Sequence, residues 1–98
     1  MRFEIIFSPE AAEDLGRLKA FVRAEVKESI EIHLRYEPTK LSKSRIKRLR
    51  GLSQPQYRLR IRDDLRVFYD VTETSVEILA IVSKSEAADW LSERGIGQ

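Results

Sequence analysis

Along this chain the spacing of hydrophobic residues switches between every second position and every third or fourth, and each switch marks an element. Phe3, Ile5 and Phe7 alternate with their neighbours, predicting a first strand over Arg2–Phe7. Ser8-Pro9 then reads as a helix start, with a hydroxyl to cap orphan amides and a proline at a position where its missing N–H is not needed. Glu10, Glu13 and Asp14 put negative charge near the positive end of that helix. Leu15, Leu18, Val22, Val26, Ile30 and Leu34 follow at helical spacing, as far as Glu37-Pro38, where the proline disfavours helix in the residue before it. A single helix from Pro9 to Tyr36 would extend some 40 Å at about 1.5 Å per residue, hard to cover in so short a chain. A hairpin bent near Lys19–Phe21 is therefore expected, although no glycine or proline marks the bend.

Thr39 to Pro55 reads as a basic connector broken by Gly51 and Pro55, and Ser44–Leu49 is compatible with a helical turn. Tyr57–Arg62 is the clearest strand, with Tyr57, Leu59 and Ile61 on one face and Arg58, Arg60 and Arg62 on the other. Asp63-Asp64 suits a tight turn, Leu65–Val71 the returning strand, and Thr72–Ser75 a second turn. Val76–Val82 is rich in Ile, Val and Leu, as a strand covered on both faces would be. Ser83 or Ser85 can cap a last helix through Trp90 and Leu91 to Arg94, stopped by Gly95. The order predicts an α+β fold in one domain, residues 1–98: an N-terminal strand, a helix hairpin, a three-stranded antiparallel meander and a short C-terminal helix. The apolar face of the meander is expected on the hairpin, and the arginines on its other face.

Charge sharpens this picture. The formal net charge is only +2, yet nine cations and no acid lie between Lys40 and Arg62, leaving the rest of the chain at −7. Ordinary surfaces intersperse the two signs, so this segment is shaped for a polyanion. There is no cysteine, which excludes disulfides, thiolate metal sites and a thiol nucleophile and favours a reducing, cytoplasmic setting. No run approaches the roughly 18 apolar residues that span a bilayer, nor does the N-terminus read as a signal peptide, so a soluble protein with no membrane association is expected.

Arg58, Arg60 and Arg62 would project about 7 Å apart on one strand face, close to the spacing of phosphates along a single strand. Arg66 can join them from the neighbouring strand. Guanidinium groups present planar, permanently charged donors to phosphate oxygens, and they stabilise charge on a phosphoryl transition state. Other chemistry is sparse. His33 is the only histidine and reads as structural or solvent-facing; Trp90 and Leu91 read as packing onto the core; Tyr57 and Tyr69 are expected to face inward. No carboxylate spacing suggests a metal, and no glycine-rich loop suggests a nucleotide cofactor, so no cofactor is expected.

The run Lys47-Arg48-Leu49-Arg50-Gly51, then Tyr57-Arg58-Leu59-Arg60-Ile61-Arg62, then Leu65-Arg66-Val67-Phe68-Tyr69 resembles the heart of the RelE/ParE toxin superfamily. Phe7-Ser8-Pro9 and the apolar strand running into Ser83-Lys84 fit the same pattern, so the resemblance covers nearly the whole chain. It implies the RelE-like microbial RNase fold and a type II toxin that cuts mRNA in the ribosomal A site, by attack of a ribose 2′-hydroxyl on the adjacent phosphate. Arg58, Arg60 and Arg66 match basic positions of the cleaving members. The basic residue those members carry after the last strand aligns with Ser85 or, one place earlier, Lys84; the C-terminal tyrosine of some members aligns with Leu91. Arginine hardly gives up its proton, so the base is unassigned.

The resemblance thus implies Arg58, Arg60, Arg66 and Lys84 around the scissile phosphate. Lys43, Arg45, Lys47, Arg48, Arg50 and Arg62 are the expected docking residues for ribosome and mRNA. Two alternatives stand beside this reading: a non-enzymatic gyrase poison of the ParE kind, and a degenerate toxin acting only as a nucleic-acid-binding module. A cognate antitoxin is the implied protein partner, and operator DNA would be reached only through it.

Overall fold

The computed structural model describes residues 1–97. In chain order its elements are β1 (Glu4–Phe7), α1 (Pro9–Arg17), α2 (Ala20–Leu34), β2 (Ile46–Arg48), β3 (Leu52–Gln54), β4 (Tyr57–Ile61), β5 (Leu65–Val71), β6 (Ser75–Ser83), a 3-10 turn at Lys84–Glu86, α3 (Ala87–Arg94) and β7 (Ile96–Gly97). Five strands make one sheet in the order β1-β6-β5-β4-β2. β4, β5 and β6 form the expected antiparallel meander, and β1 adds parallel to β6. Leu59, Val67, Tyr69, Val76 and Ile78 on one face of this sheet pack with Ala11, Val26, Ile30 and Leu34 of the helices, all nearly or wholly buried.

The helix hairpin forms as the periodicity requires, but its break lies at Leu18 and Lys19, slightly earlier than Lys19–Phe21, with ψ of 150° and 149°. The break needs no glycine because Arg23 reaches back and donates to the carbonyls of Gly16 and Leu18, both at 3.3 Å. Those are the carbonyls that the end of a helix leaves without partners. At the other end the Ser8 hydroxyl accepts from the Ala11 amide at 3.0 Å, the N-cap read from the sequence. It also donates to the Leu79 carbonyl on the open edge of β6, at 3.0 Å. A bulge leaves Leu79 extra, with Phe68 opposite Ala80 and Tyr69 opposite Ile78. Asp14 accepts from the Ile81 amide on that edge at 3.0 Å, which supplies a partner where β1 no longer runs alongside.

The connector differs from the reading of its sequence. Ile46–Arg48 is a strand and not a helical turn; it pairs antiparallel with β4 and sets Ile46, 4 % exposed, opposite Leu59. The free edge of β4 supplies hydrogen bonds that a lone helical turn would lack, and the Ser42 hydroxyl accepts from the amides of Arg45 and Ile46 at the strand entry. Gly51, at φ +76°, turns the chain into β3, which pairs with β7, a short strand beyond the helix stop at Gly95. Gly95 does stop α3: a β-carbon there would sit 2.5 Å from the Leu91 carbonyl oxygen.

The last helix packs on the sheet's outer face rather than on the main core. Trp90 stacks on Phe68, ring centroids 5.0 Å apart, and donates to Glu10 at 3.1 Å; Arg94 donates to the same carboxylate at 2.8 Å. Part of the outer face is thereby covered; on the other half Lys47 is exposed and Arg58 and Arg60 are half-buried, while Arg66 at the start of β5 is buried.

Candidate functional site

On that half the register assembles the cations. Lys47 stands opposite Arg58 across β2 and β4, and Arg60 stands opposite Arg66 across β4 and β5. The alternation of β4 turns Leu59 and Ile61 into the core, so Arg58 and Arg60 must face outward. Like charges on opposed positions repel, and a fold tolerates the arrangement where something compensates.

The arginines are compensated unequally. Arg66 is 7 % exposed and donates to the carbonyls of Asp63 at 3.1 Å and Leu65 at 2.9 Å, so it braces the turn. Arg60 donates from Nε to the Arg62 carbonyl at 3.1 Å and from its terminal nitrogen to the Asp63 carboxylate at 3.3 Å. Arg58 has no such support. Its Nε is buried without a hydrogen-bond partner, alone in this among the side-chain nitrogens and oxygens of the described residues. Burial, then the charges of Arg66 and Arg60, hold its guanidinium below its ordinary pKa. An unsatisfied buried donor costs about 1–3 kcal/mol and more when charged.

Two expected docking residues leave this face. Arg62 lies past the end of β4 at φ +57°, and its side chain pairs with Glu25 on α2 and with Asp64, each at 3.6 Å. The row of cations therefore ends at Arg60, because the turn to Leu65 starts one residue earlier than the alternation suggested. Arg48, opposite Tyr57, lies over that ring at 5.2 Å and donates to the Gln56 carbonyl at 2.7 Å, on the core side of the edge. Tyr57 itself stacks on Tyr69, and both face inward as expected. Lys43, Arg45 and Arg50 are exposed along the connector. Lys84 is exposed at the start of the 3-10 turn, its amide donating to the Asp64 carbonyl at 2.8 Å.

Sequence reasoning missed the placement of Lys47 beside Arg58, since the strand carrying it was read as a connector. It also missed a cavity of about 330 Å³ where α2, Ser44-Arg45 and the end of β4 meet, with His33 in its wall. Burial and then Arg45 hold the His33 imidazole below its ordinary pKa. Among the described residues no helix is long and apolar enough to cross a membrane.

Residues 5–88 match the family model described as the ParE toxin of type II toxin–antitoxin systems, parDE. No curated protein sequence matches. Among solved structures, the chain is similar to the toxin–antitoxin complex RelBE2 from Mycobacterium tuberculosis, at 25 % identity and TM-score 0.66 over 86 % of this chain and 100 % of that one. It is also similar to the archaeal RelE–RelB complex from Pyrococcus horikoshii, at 25 % identity and TM-score 0.69 over 86 % and 97 %. The RelB–RelE complex from Methanococcus jannaschii, at 19 % identity and TM-score 0.64 over 87 % and 96 %, shares the fold.

Proposed function

This chain belongs to the ParE toxin family of type II toxin–antitoxin systems, and from that premise we propose that it is a toxin that cuts ribosome-bound mRNA with its arginine face. The observation that carries this reading is the buried, unpaired Nε of Arg58 among Lys47, Arg60 and Arg66. A fold gains nothing from such a group, whereas a phosphate held at the terminal nitrogens of Arg58 would compensate its charge.

In the reaction the ribose 2′-oxygen forms a bond to phosphorus and the bond from phosphorus to the next 5′-oxygen breaks. The products are a 2′,3′-cyclic phosphate and a free 5′-hydroxyl. Arg58 and Arg60 stabilise the charge that gathers on the non-bridging oxygens, where preorganised donors act most strongly. Arg66 holds the turn that positions Arg60, and can add its charge. Lys47, opposite Arg58, and Lys84, beside Asp64, add cationic charge around the phosphate, while the 2′-hydroxyl proton passes to solvent and the leaving 5′-oxygen takes one up from it. Lys43, Arg45 and Arg50 extend the cationic surface for docking on ribosomal RNA.

The described relatives are complexes with antitoxins, and a cognate antitoxin covering the arginine face is the partner this reading requires. Operator DNA is then reached only through that antitoxin. A second reading, a non-enzymatic gyrase poison, is favoured by the description of the matched family as ParE. Primer extension on mRNA with and without ribosomes separates the two. Cuts inside the reading frame that need ribosomes support the first. Intact transcripts with trapped gyrase–DNA complexes establish the second and overturn the first.

A further inference from the structure

We propose that the cavity between α2, the Ser44-Arg45 segment and the end of β4 is a second phosphate subsite, which takes a backbone phosphodiester of RNA next to the segment held on the arginine face. The proposal rests on the preceding reading only for the identity of the ligand as RNA. The cavity itself stands on its own geometry.

Ser29 and His33 lie four residues apart on α2 and so share its inner wall, facing Ser44, Arg45 and Arg60 across about 330 Å³. That space exceeds what one phosphate needs and leaves room for its ribose. Glu25 and Arg62 also line it, paired at 3.6 Å, and Arg62 pairs with Asp64 as well. The other charged residues of the wall are Arg45 and Arg60, of which Arg60 pairs with Asp63. Arg45 is held by its backbone alone: its amide donates to the Ser42 hydroxyl at 3.0 Å and its carbonyl accepts from the Arg60 amide at 2.8 Å. Its guanidinium is in no ion pair among the described residues, unlike those of Arg60 and Arg62.

Two hydroxyls, an imidazole and a free guanidinium thus converge on one space, a donor set suited to phosphate oxygens. Arg60 joins this wall to the outer face, and its amide bonds the Arg45 carbonyl where β2 begins, so a strand lying on Arg58 and Arg60 can continue toward Arg45. The histidine makes occupancy visible. It is faced by Glu25 and Glu28 from its own helix, Glu37 and Lys40 from the following loop, Arg45 from the connector, and Arg60 and Arg62 from β4. An anion seated beside it favours the charged imidazole and raises its pKa.

The test follows the His33 ring resonances of the free protein by NMR during titration with the dinucleotide ApA, with adenosine monophosphate and with inorganic phosphate in separate arms. Saturable movement of the His33 signals with ApA, together with an upward shift of its titration midpoint, is expected. Arg45→Gln is expected to weaken ApA binding about tenfold or more, in line with loss of a charge-assisted bond. Arg17→Gln, on the exposed face of α1, controls for bulk charge and is expected to leave binding within about twofold. No movement of His33, equal weakening by both variants, or binding of the monoesters without ApA overturns the proposal. Binding of ApA in this cavity by a protein that leaves ribosome-bound mRNA intact supports the subsite and removes the endonuclease reading.

Discussion

Arg60 and Arg66, opposed across β4 and β5, converge on one residue: Arg60 donates to the Asp63 carboxylate and Arg66 to the Asp63 carbonyl. The turn thereby compensates two cations that would otherwise only repel. Arg66 is the more buried and makes a second bond to Leu65, so Arg66→Ala is expected to lower stability by about 1–3 kcal/mol. At about 4–8 °C per kcal/mol for a domain of this size, thermal melting reads this directly. An unchanged melting temperature would show that the turn does not depend on Arg66.

Arg58 is expected to behave in the opposite way. Its Nε has no partner to lose, so Arg58→Gln leaves the melting temperature unchanged or raises it. Single-turnover cleavage of ribosome-bound mRNA is expected to fall by about 10²–10³, the usual consequence of removing one preorganised donor to a developing oxyanion. Cleavage at the wild-type rate would remove Arg58 from the reaction.

Lys47→Gln removes the charge opposite Arg58 while keeping a polar side chain there. Ribosome affinity is expected to hold while the cleavage rate drops by at least about tenfold, as loss of a charge beside a developing oxyanion entails. Equal loss of affinity and rate would make Lys47 a docking residue only.

The Tyr69 hydroxyl, buried under the sheet, donates to the Pro38 carbonyl at 2.7 Å and ties the end of the helix hairpin to the central strands. Burial and the neighbouring Tyr57 raise its pKa, so it keeps its proton throughout the working range. Tyr69→Phe leaves the Pro38 carbonyl without that donor and is expected to cost about 1–2 kcal/mol, measured by urea unfolding.

Asp14 carries a pH dependence of the opposite sign to most carboxylates. Burial raises its folded pKa above 3.8, outweighing the bond from Ile81 that lowers it. The folded state therefore binds the proton more tightly than the unfolded chain. Asp14's contribution is most favourable at low pH, and it declines as pH rises from 3.8 through the raised folded value. Asp14→Asn keeps an oxygen for the Ile81 amide and is expected to flatten the stability profile in that window while raising stability at neutral pH. A profile unchanged between the two proteins would place the titration elsewhere.

The helix hairpin and the meander were legible because their hydrophobic spacing matches the period of each element, from Leu15 to Leu34 and from Tyr57 to Val82. Ser8 as cap and Gly95 as stop were legible for local reasons, since each acts within one turn of its own position. β2 was not legible. Its Ile46-Lys47-Arg48 core is too short to carry a period, and it is a strand only because β4 presents an unpaired edge beside it. The helix break at Leu18 was hidden in the same way, because the group that satisfies its carbonyls comes from Arg23, outside the break itself.

By itself the sequence determined that the arginine strand would turn its cations to one sheet face, because alternation along β4 leaves Arg58 and Arg60 no other direction once Leu59 and Ile61 are buried. Tertiary structure decided which of the cations remain free. Arg62 is drawn to Glu25 by a turn that starts one residue early, Arg48 lies against Tyr57, and Arg66 is spent on the turn carbonyls. Arg58 alone keeps an unpaired buried donor, and Lys47 stands opposite it through pairing between positions eleven residues apart. Alternation is a property of neighbouring residues and can be read from their order. Pairing depends on which distant groups arrive within hydrogen-bond reach, and only the folded chain brings them there.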